Sequence, residues 1–429
     1  MPLFDRMRRQ RAFEDLWIWE EVGDRLPWYY AVATNRMPAK YRIAARVPAG
    51  VDLAADEEAL WGAHEAATEA LLGAWGEVRS GKRRIRDLPR AAPSLLDLSA
   101  ELARRMLRHC NFCRWNCRVD RVTGTKHGTC QLDSASRVSS YFHHMGEELV
   151  LRGTRGSGTI FFTSCDQMCV FCQNSDISRD KDRGIPVTPR ELAAMAWQLR
   201  MEGCHNINWV GGEPTIHLHT ILAAIRELTI GPPQPEDLAY AEAVRSDGFH
   251  AAREDLAVHE GELNAPMLWN SNFFMSPESM RLLRPLMDVW LPDFKFGNDR
   301  CAIFLAKTPW YWETVARNHK IVYDWGEDIM IRHLVMPGHV ECCTKPVLRW
   351  IAANAPNALV NVMDQYHPDY ACDPRSPQFD SRYQVLSRRP RADEILEAYG
   401  CARGLGLRFE AVTQEKAGTG HEVRDAVRP

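Results

Sequence analysis

FFTSCDQMCVFCQN, residues 161–174, places Cys165, Cys169 and Cys172 in a Cys-x3-Cys-x2-Cys loop directly after an apolar run that reads as a strand. Three thiolates so close together can reach three irons of a cubane and leave the fourth iron open, whereas Fe–S clusters are otherwise held by four Cys. Catalytic metal sites keep such a position for a small molecule. A zinc knuckle completed by a distant His or Cys has the same spacing, because soft thiolates suit both metals. The context of the loop has to decide.

Outward from the loop, short apolar runs alternate with helix-like stretches. The strand readings are 158–163, 205–211, 266–270, 288–294, 328–336 and 358–364, with helices such as 188–203 and 218–229 between them. This alternation indicates βαβ units and a mostly parallel sheet. Six units make an open α/β barrel, two short of the closed eight-stranded form. Chemistry in such folds sits at the C-terminal strand ends. Those ends carry the triple-Cys loop, Gly-Gly-Glu (211–213), Asn-Ser-Asn (270–272), Asp-Phe-Lys (293–295), Arg332 with Met-Pro-Gly, and Met-Asp-Gln-Tyr (363–366).

Upstream, CNFCRWNCRVDRVTGTKHGTC gives Cys110, Cys113, Cys117 and Cys130 at spacings x2, x3 and x12. Four such Cys are a metal signature that fits a closed zinc site and a fully ligated [4Fe–4S] cluster equally well. Residues 56–78 and 94–110 have helical apolar periodicity, and Ser94 is a candidate N-cap. The chain therefore reads as a mostly helical region (1–105), a four-Cys segment (106–150), a barrel (151–410) with an acidic insertion (231–263), and a polar tail (411–429).

With 429 residues, 25% charged and a formal net charge of −3, the composition points to neither a nucleic-acid nor a membrane partner. No apolar run approaches transmembrane length. The basic start, MPLFDRMRRQRAFEDLW, lacks a secretory core and reads as a helix docking on the body, so the expected compartment is the cytoplasm. In a reducing compartment the 13 cysteines are expected as ligands or catalytic thiols rather than disulfides. Cys342 and Cys343 read as two small loop residues, as do Cys204, Cys301, Cys372 and Cys401.

The triple-Cys loop, the Phe171 before its third Cys and the Gly-Gly-Glu after the next strand resemble the radical S-adenosylmethionine superfamily. Within it, the chain is similar to the group of pyruvate formate-lyase activating enzyme, in a branch with an extra four-Cys segment. The resemblance implies a partial (β/α)6 barrel and an oxidoreductase. Such an enzyme reductively cleaves S-adenosylmethionine at its [4Fe–4S] cluster to a 5′-deoxyadenosyl radical, which abstracts hydrogen.

By the same resemblance Gly211, Gly212 and Glu213 hold the methionyl amine and Lys295 faces its carboxylate, with Asp293 holding Lys295. Asn270 and Ser271 reach the cofactor, and Arg332 lies near cofactor and substrate. Gln365 and His367 are substrate-side candidates. The neutral Asn270-Ser271 pair replaces an Asp-Thr pair of some activating enzymes, which puts a bound monovalent cation in doubt. The first Cys group is read as an auxiliary cluster, with zinc the alternative. An electron donor such as flavodoxin or ferredoxin is implied.

Three functions are weighed. The first is a hydrogen-abstracting enzyme, activase-like towards a glycyl-radical protein. The second modifies a peptide or small metabolite without such a partner; the helical extension and the insertion favour it if they reshape access to the barrel. The third is a non-catalytic Fe–S or zinc protein.

Overall fold

A computed structural model describes residues 13–248 and 250–417. Strands β1 (Ser136–His144), β2 (Ser157–Phe162), β3 (Ile185–Val187), β4 (Ile207–Gly211), β7 (Met267–Ser271) and β8 (Val289–Pro292) form one sheet in the order β3-β1-β2-β4-β7-β8. A two-residue hairpin, β5 (Val258–His259) with β6 (Glu262–Leu263), stands apart. Strands β9 (Met330–Leu334) and β10 (Leu359–Met363) pair in parallel, and parallel bridges from Trp290 to Ile329 and Asp293 to Arg332 join β8 to β9. The curved series β2-β4-β7-β8-β9-β10 is thus parallel throughout. All six strands expected from the sequence are present.

Two further strands of the main sheet, β1 and β3, and both strands of the hairpin are additional to those six. β1 runs antiparallel to β2 and carries β3 on its other edge. Its sequence, SRVSSYFHH, is rich in Ser and His, and its pairing shifts register between Val138 and Ser140, so its alternation is weak. β3 contains Pro186, which is tolerated because the strand is at the sheet edge.

Strand periodicity separates two environments. Trp209, Trp269 and Trp290 pair across β4, β7 and β8 and are fully buried in the outer layer, against helices. Helix Pro189–Met201 starts at a capping box, Thr188 with Glu191, and its Leu192, Met195, Ala196 and Leu199 join that layer. Residues of the other parity point into the barrel. At its N-terminal end, Leu268, Val289, Leu291, Met330 and Leu359 form a separate apolar cluster with Phe13, Ile18, Val22, Tyr29, Val150 and Leu151.

That cluster locates the N-terminal segment. Tyr29 donates its hydroxyl to the Leu151 carbonyl at 2.6 Å, and its backbone N–H to Asp328 at 2.7 Å. Trp28 Nε1 and Lys40 N both donate to Asp288, at 2.8 and 3.0 Å. Asp288 and Asp328 precede β8 and β9, so this segment plugs the barrel floor. Helices Glu57–Arg79 and Leu95–Met106 then pack outside, the second against helix Leu218–Glu227. The insertion also lies outside: Arg190 pairs with Asp237 at 2.9 Å and Tyr240 donates to the Pro186 carbonyl at 2.6 Å. Among the described residues, neither segment contributes to the lining of the cavity at the C-terminal strand ends.

The expected polar tail begins as a helix, Glu410–Ala417, whose Val412 and Thr413 are buried. The remainder of the tail, 418–429, and most of the basic start, 1–12, lie outside the described residues. Among the described residues no helix is long and apolar enough to cross a membrane.

Candidate active site

The C-terminal strand ends surround one open cavity of about 440 Å³. Its walls include Cys165, Cys169 and Cys172 with Phe171 from the loop after β2, and Gly211, Gly212 and Glu213 after β4. They also include Asn270 and Ser271 of β7, Asp293 and Lys295 after β8, Arg332 of β9, and Gln365 after β10. The expected set is brought together except for His367, whose Nδ1 lies 3.4 Å from the Pro368 carbonyl and which does not line the cavity. His333, next to Arg332, points outward by strand alternation and bonds Phe294 O and Thr344 Oγ1 at 2.7 and 2.9 Å.

The cysteine loop is held by the glycines. Gly211 adopts φ +131°, and a side chain on Gly212 would stand 1.7 Å from the Ser164 carbonyl oxygen. The loop backbone therefore crosses directly over β4's end, a packing requirement in addition to the expected approach of a ligand. Arg179 fixes the loop from the other side, donating to the Cys169 carbonyl at 2.7 Å. Phe171 packs edge-on to Phe296 at 6.1 Å.

Asp293 organises two cations. Its Oδ2 accepts from Lys295 Nζ at 2.6 Å and its Oδ1 from Arg332 Nε at 2.9 Å. Burial pushes the carboxyl up, but Arg332 and Lys295 outweigh it and hold Asp293 below the usual carboxylate range. Burial likewise disfavours the Lys295 ammonium, yet Asp293 and Cys169 raise it above the ordinary lysine value. The Tyr311 hydroxyl oxygen accepts the Lys295 backbone N–H at 2.7 Å. Arg332 further donates to Asn270 Oδ1 and reaches Glu147 at 3.4 Å.

Glu147 was not foreseen. It follows β1, a strand without a clear sequence signal, and lines the cavity with His144. Asn208 Nδ2 donates to it at 2.9 Å. Glu213 departs from expectation in a different way. Its oxygens accept from Thr215 N at 3.0 Å, Thr215 Oγ1, Ser271 Oγ at 2.7 Å and Asn272 N at 2.9 Å. Those bonds use most of a carboxylate's acceptor capacity. Burial raises Glu213 while these donors oppose the rise.

Cys110, Cys113, Cys117 and Cys130 line a second cavity, small and largely enclosed, of about 10 Å³. Arg121 shares that lining and is 3% exposed, and its Nη2 is buried without a hydrogen-bond partner. The segment docks on the end of β7: Ser279 Oγ and Ser276 N donate to the Phe112 carbonyl at 2.8 and 3.1 Å.

The sequence profile of the Radical SAM superfamily matches residues 159–351. An uncharacterized protein of Methanocaldococcus jannaschii is 34% identical over 385 residues, 88% of this chain and 97% of that protein. The chain belongs to the radical SAM superfamily and is a radical SAM enzyme. Two similar solved structures are a domain of pyruvate-formate lyase-activating enzyme from Bacteroides vulgatus and a radical SAM methyltransferase from Sphaerobacter thermophilus. The first is 13% identical with TM-score 0.26, covering 34% of this chain and 80% of its own. The second is 16% identical with TM-score 0.38, covering 59% and 65%.

Proposed function

We propose that the chain abstracts hydrogen from its substrate as activating enzymes do, with Cys165, Cys169 and Cys172 holding a [4Fe–4S] cluster. The observation that carries this reading is the convergence of the three cysteines and the later strand-end residues on one cavity. Among the described residues, no set of three cysteines in this loop has its sulfurs all within 4.8 Å, as a mononuclear site requires. Wider spacing around a cavity suits a cluster. With S-adenosylmethionine bound, such a cluster supplies one-electron cleavage to a 5′-deoxyadenosyl radical.

The chain's own residues bind and orient. The Lys295 ammonium, kept charged by Asp293, offers a point charge to a carboxylate. Arg332, fixed by Asp293 and Asn270, sets the floor of the cavity. Glu213 acts through Ser271 and Asn272, so the backbone of Gly211 and Gly212 is left to meet an ammonium. Gln365 is exposed at the rim, on the side a substrate would enter. None of the described residues of the helical region or the insertion lines the cavity. A mouth that these described residues leave unlined suits a peptide loop of a protein substrate.

The four-Cys segment is read as holding an auxiliary [4Fe–4S] cluster. Zinc thiolates at 2.3 Å place sulfurs about 3.8 Å apart. Yet no three of these four ligands converge within 4.8 Å. The orphaned Arg121 donor beside them fits a sulfide-rich group, which offers it acceptors.

Anaerobic incubation of the reconstituted protein with reductant and S-adenosylmethionine tests the main reading. The expected product is 5′-deoxyadenosine; none forming with the cluster demonstrably present would overturn it. A protein radical signal after adding a candidate glycyl-radical protein separates the activase reading from modification of a peptide or metabolite.

A further inference from the structure

Cys301, His339, Cys342 and Cys343 come from two separate segments of the chain, and their ligand atoms all lie within 4.8 Å of one another. Cys301 is in helix Asp299–Ala306 after β8; the other three follow β9, where residues Val340–Thr344 form a π-turn closed by Thr344 N donating to the His339 carbonyl at 3.2 Å. Such turns inside helices recur at functional sites. This one brings two adjacent cysteines and the histidine before them to a common point. Asn298 locks the two loops together, donating to the Cys342 carbonyl at 2.7 Å, and Gly297 leaves no room for a side chain beside that carbonyl.

The spacings discriminate between metals. The sulfurs of Cys301 and Cys342 are 3.7 Å apart and those of Cys342 and Cys343 are 4.0 Å apart. His339 Nδ1 lies 3.3 Å from Cys342 and 3.9 Å from both Cys301 and Cys343. A tetrahedral zinc with bonds of about 2.3 Å to sulfur and 2.0 Å to nitrogen needs S···S near 3.8 Å and S···N near 3.5 Å. Here the ligands crowd round a single ion, in contrast with both other cysteine groups. A cubane would not fit among them.

We propose that these four residues bind one zinc ion in a closed Cys3His site. Four protein ligands leave no open position, so the ion is structural. It ties the segment that carries Asp293 and Lys295 to the one that follows Arg332, and so fixes the loop that supplies Lys295 against the turn after β9, the strand that supplies Arg332. Zinc has no redox chemistry. It keeps three thiolates from reacting beside a one-electron site.

The full chain, prepared anaerobically with zinc in the growth medium and reconstituted with iron and sulfide, tests this. About one zinc per chain is expected, with three sulfur neighbours and one nitrogen in its X-ray absorption spectrum. Cys301→Ala and Cys343→Ala should each lose that zinc with iron and sulfide counts unchanged, and His339→Cys should retain it. The absorption spectrum of the unaltered protein needs no variant to fold. Zinc with four sulfur neighbours would place the ion at Cys110–Cys130 and overturn the assignment. So would iron-replete protein without zinc, a disulfide between Cys301 and Cys342, or a mononuclear iron in this site.

Discussion

Trp115 donates its indole N–H to the backbone carbonyl of Asp166 at 2.7 Å. One bond thus joins the four-Cys segment to the radical loop, one residue after Cys165. The Asp166 side chain in turn accepts from Asn272 Nδ2 at 2.7 Å, which fixes that end of the radical loop. The two cysteine groups are neighbours built on a shared backbone. About eight irons per chain are therefore expected after reconstitution, falling to about four in a Cys113→Ser, Cys117→Ser variant. Iron and acid-labile sulfide counts check this, and four irons in the unaltered protein would remove the second cluster.

Lys295→Met deletes the ammonium but leaves Asp293 paired with Arg332. Binding of S-adenosylmethionine should weaken by roughly 1.5–3 kcal/mol, the value of a hydrogen bond to a charged group. Iron content should be unaffected. Calorimetric titration of the reconstituted protein measures it, and unchanged affinity would remove Lys295 from the binding site.

Gly212→Ala should displace the cysteine loop, because the new methyl group would collide with the Ser164 carbonyl. A loss of about 1–3 kcal/mol or more is expected, with reduced iron at the radical site. Gly231→Ala is the control, since nothing lies within 4 Å of its Cβ position. Equal iron content and equal urea midpoints in both variants would contradict the packing argument.

Asp328 makes stability depend on pH. Burial pushes its carboxyl up to about 7, against the Tyr29 N–H and Lys40, which favour the charged form. Lys40 itself pairs with buried Glu327 at 2.8 Å. A carboxyl raised in the folded state stabilises the fold while protonated. That contribution is complete below the ordinary value of about 3.9 and is lost as pH rises through about 7. Asp328→Asn should flatten the fall and add roughly 1–3 kcal/mol at pH 8. Urea unfolding at pH 5.5 and 8 reads the difference, and an unchanged slope would refute it.

The sequence by itself determined the barrel and most of its site. Strand runs such as 328–336 are apolar enough to declare themselves, and parallel topology places functional groups at strand ends. Alternation also explains why Arg332 faces the cavity while His333 is buried outside. What stayed hidden depends on contacts distant in the chain. β1 has a weak pattern, so Glu147 had no reason to be placed opposite Arg332. Nothing in residues 13–50 announces that Tyr29 and Trp28 close the barrel floor, because that role exists only once Asp328 and Asp288 stand beside them. Cys301, His339, Cys342 and Cys343 fall in two groups some 40 residues apart and look like ordinary loop residues. Spacing along the chain reveals ligands that share a loop, as with Cys165, Cys169 and Cys172. Only tertiary structure can bring separate loops within one ion's reach, because that distance is set by strand packing and not by local sequence.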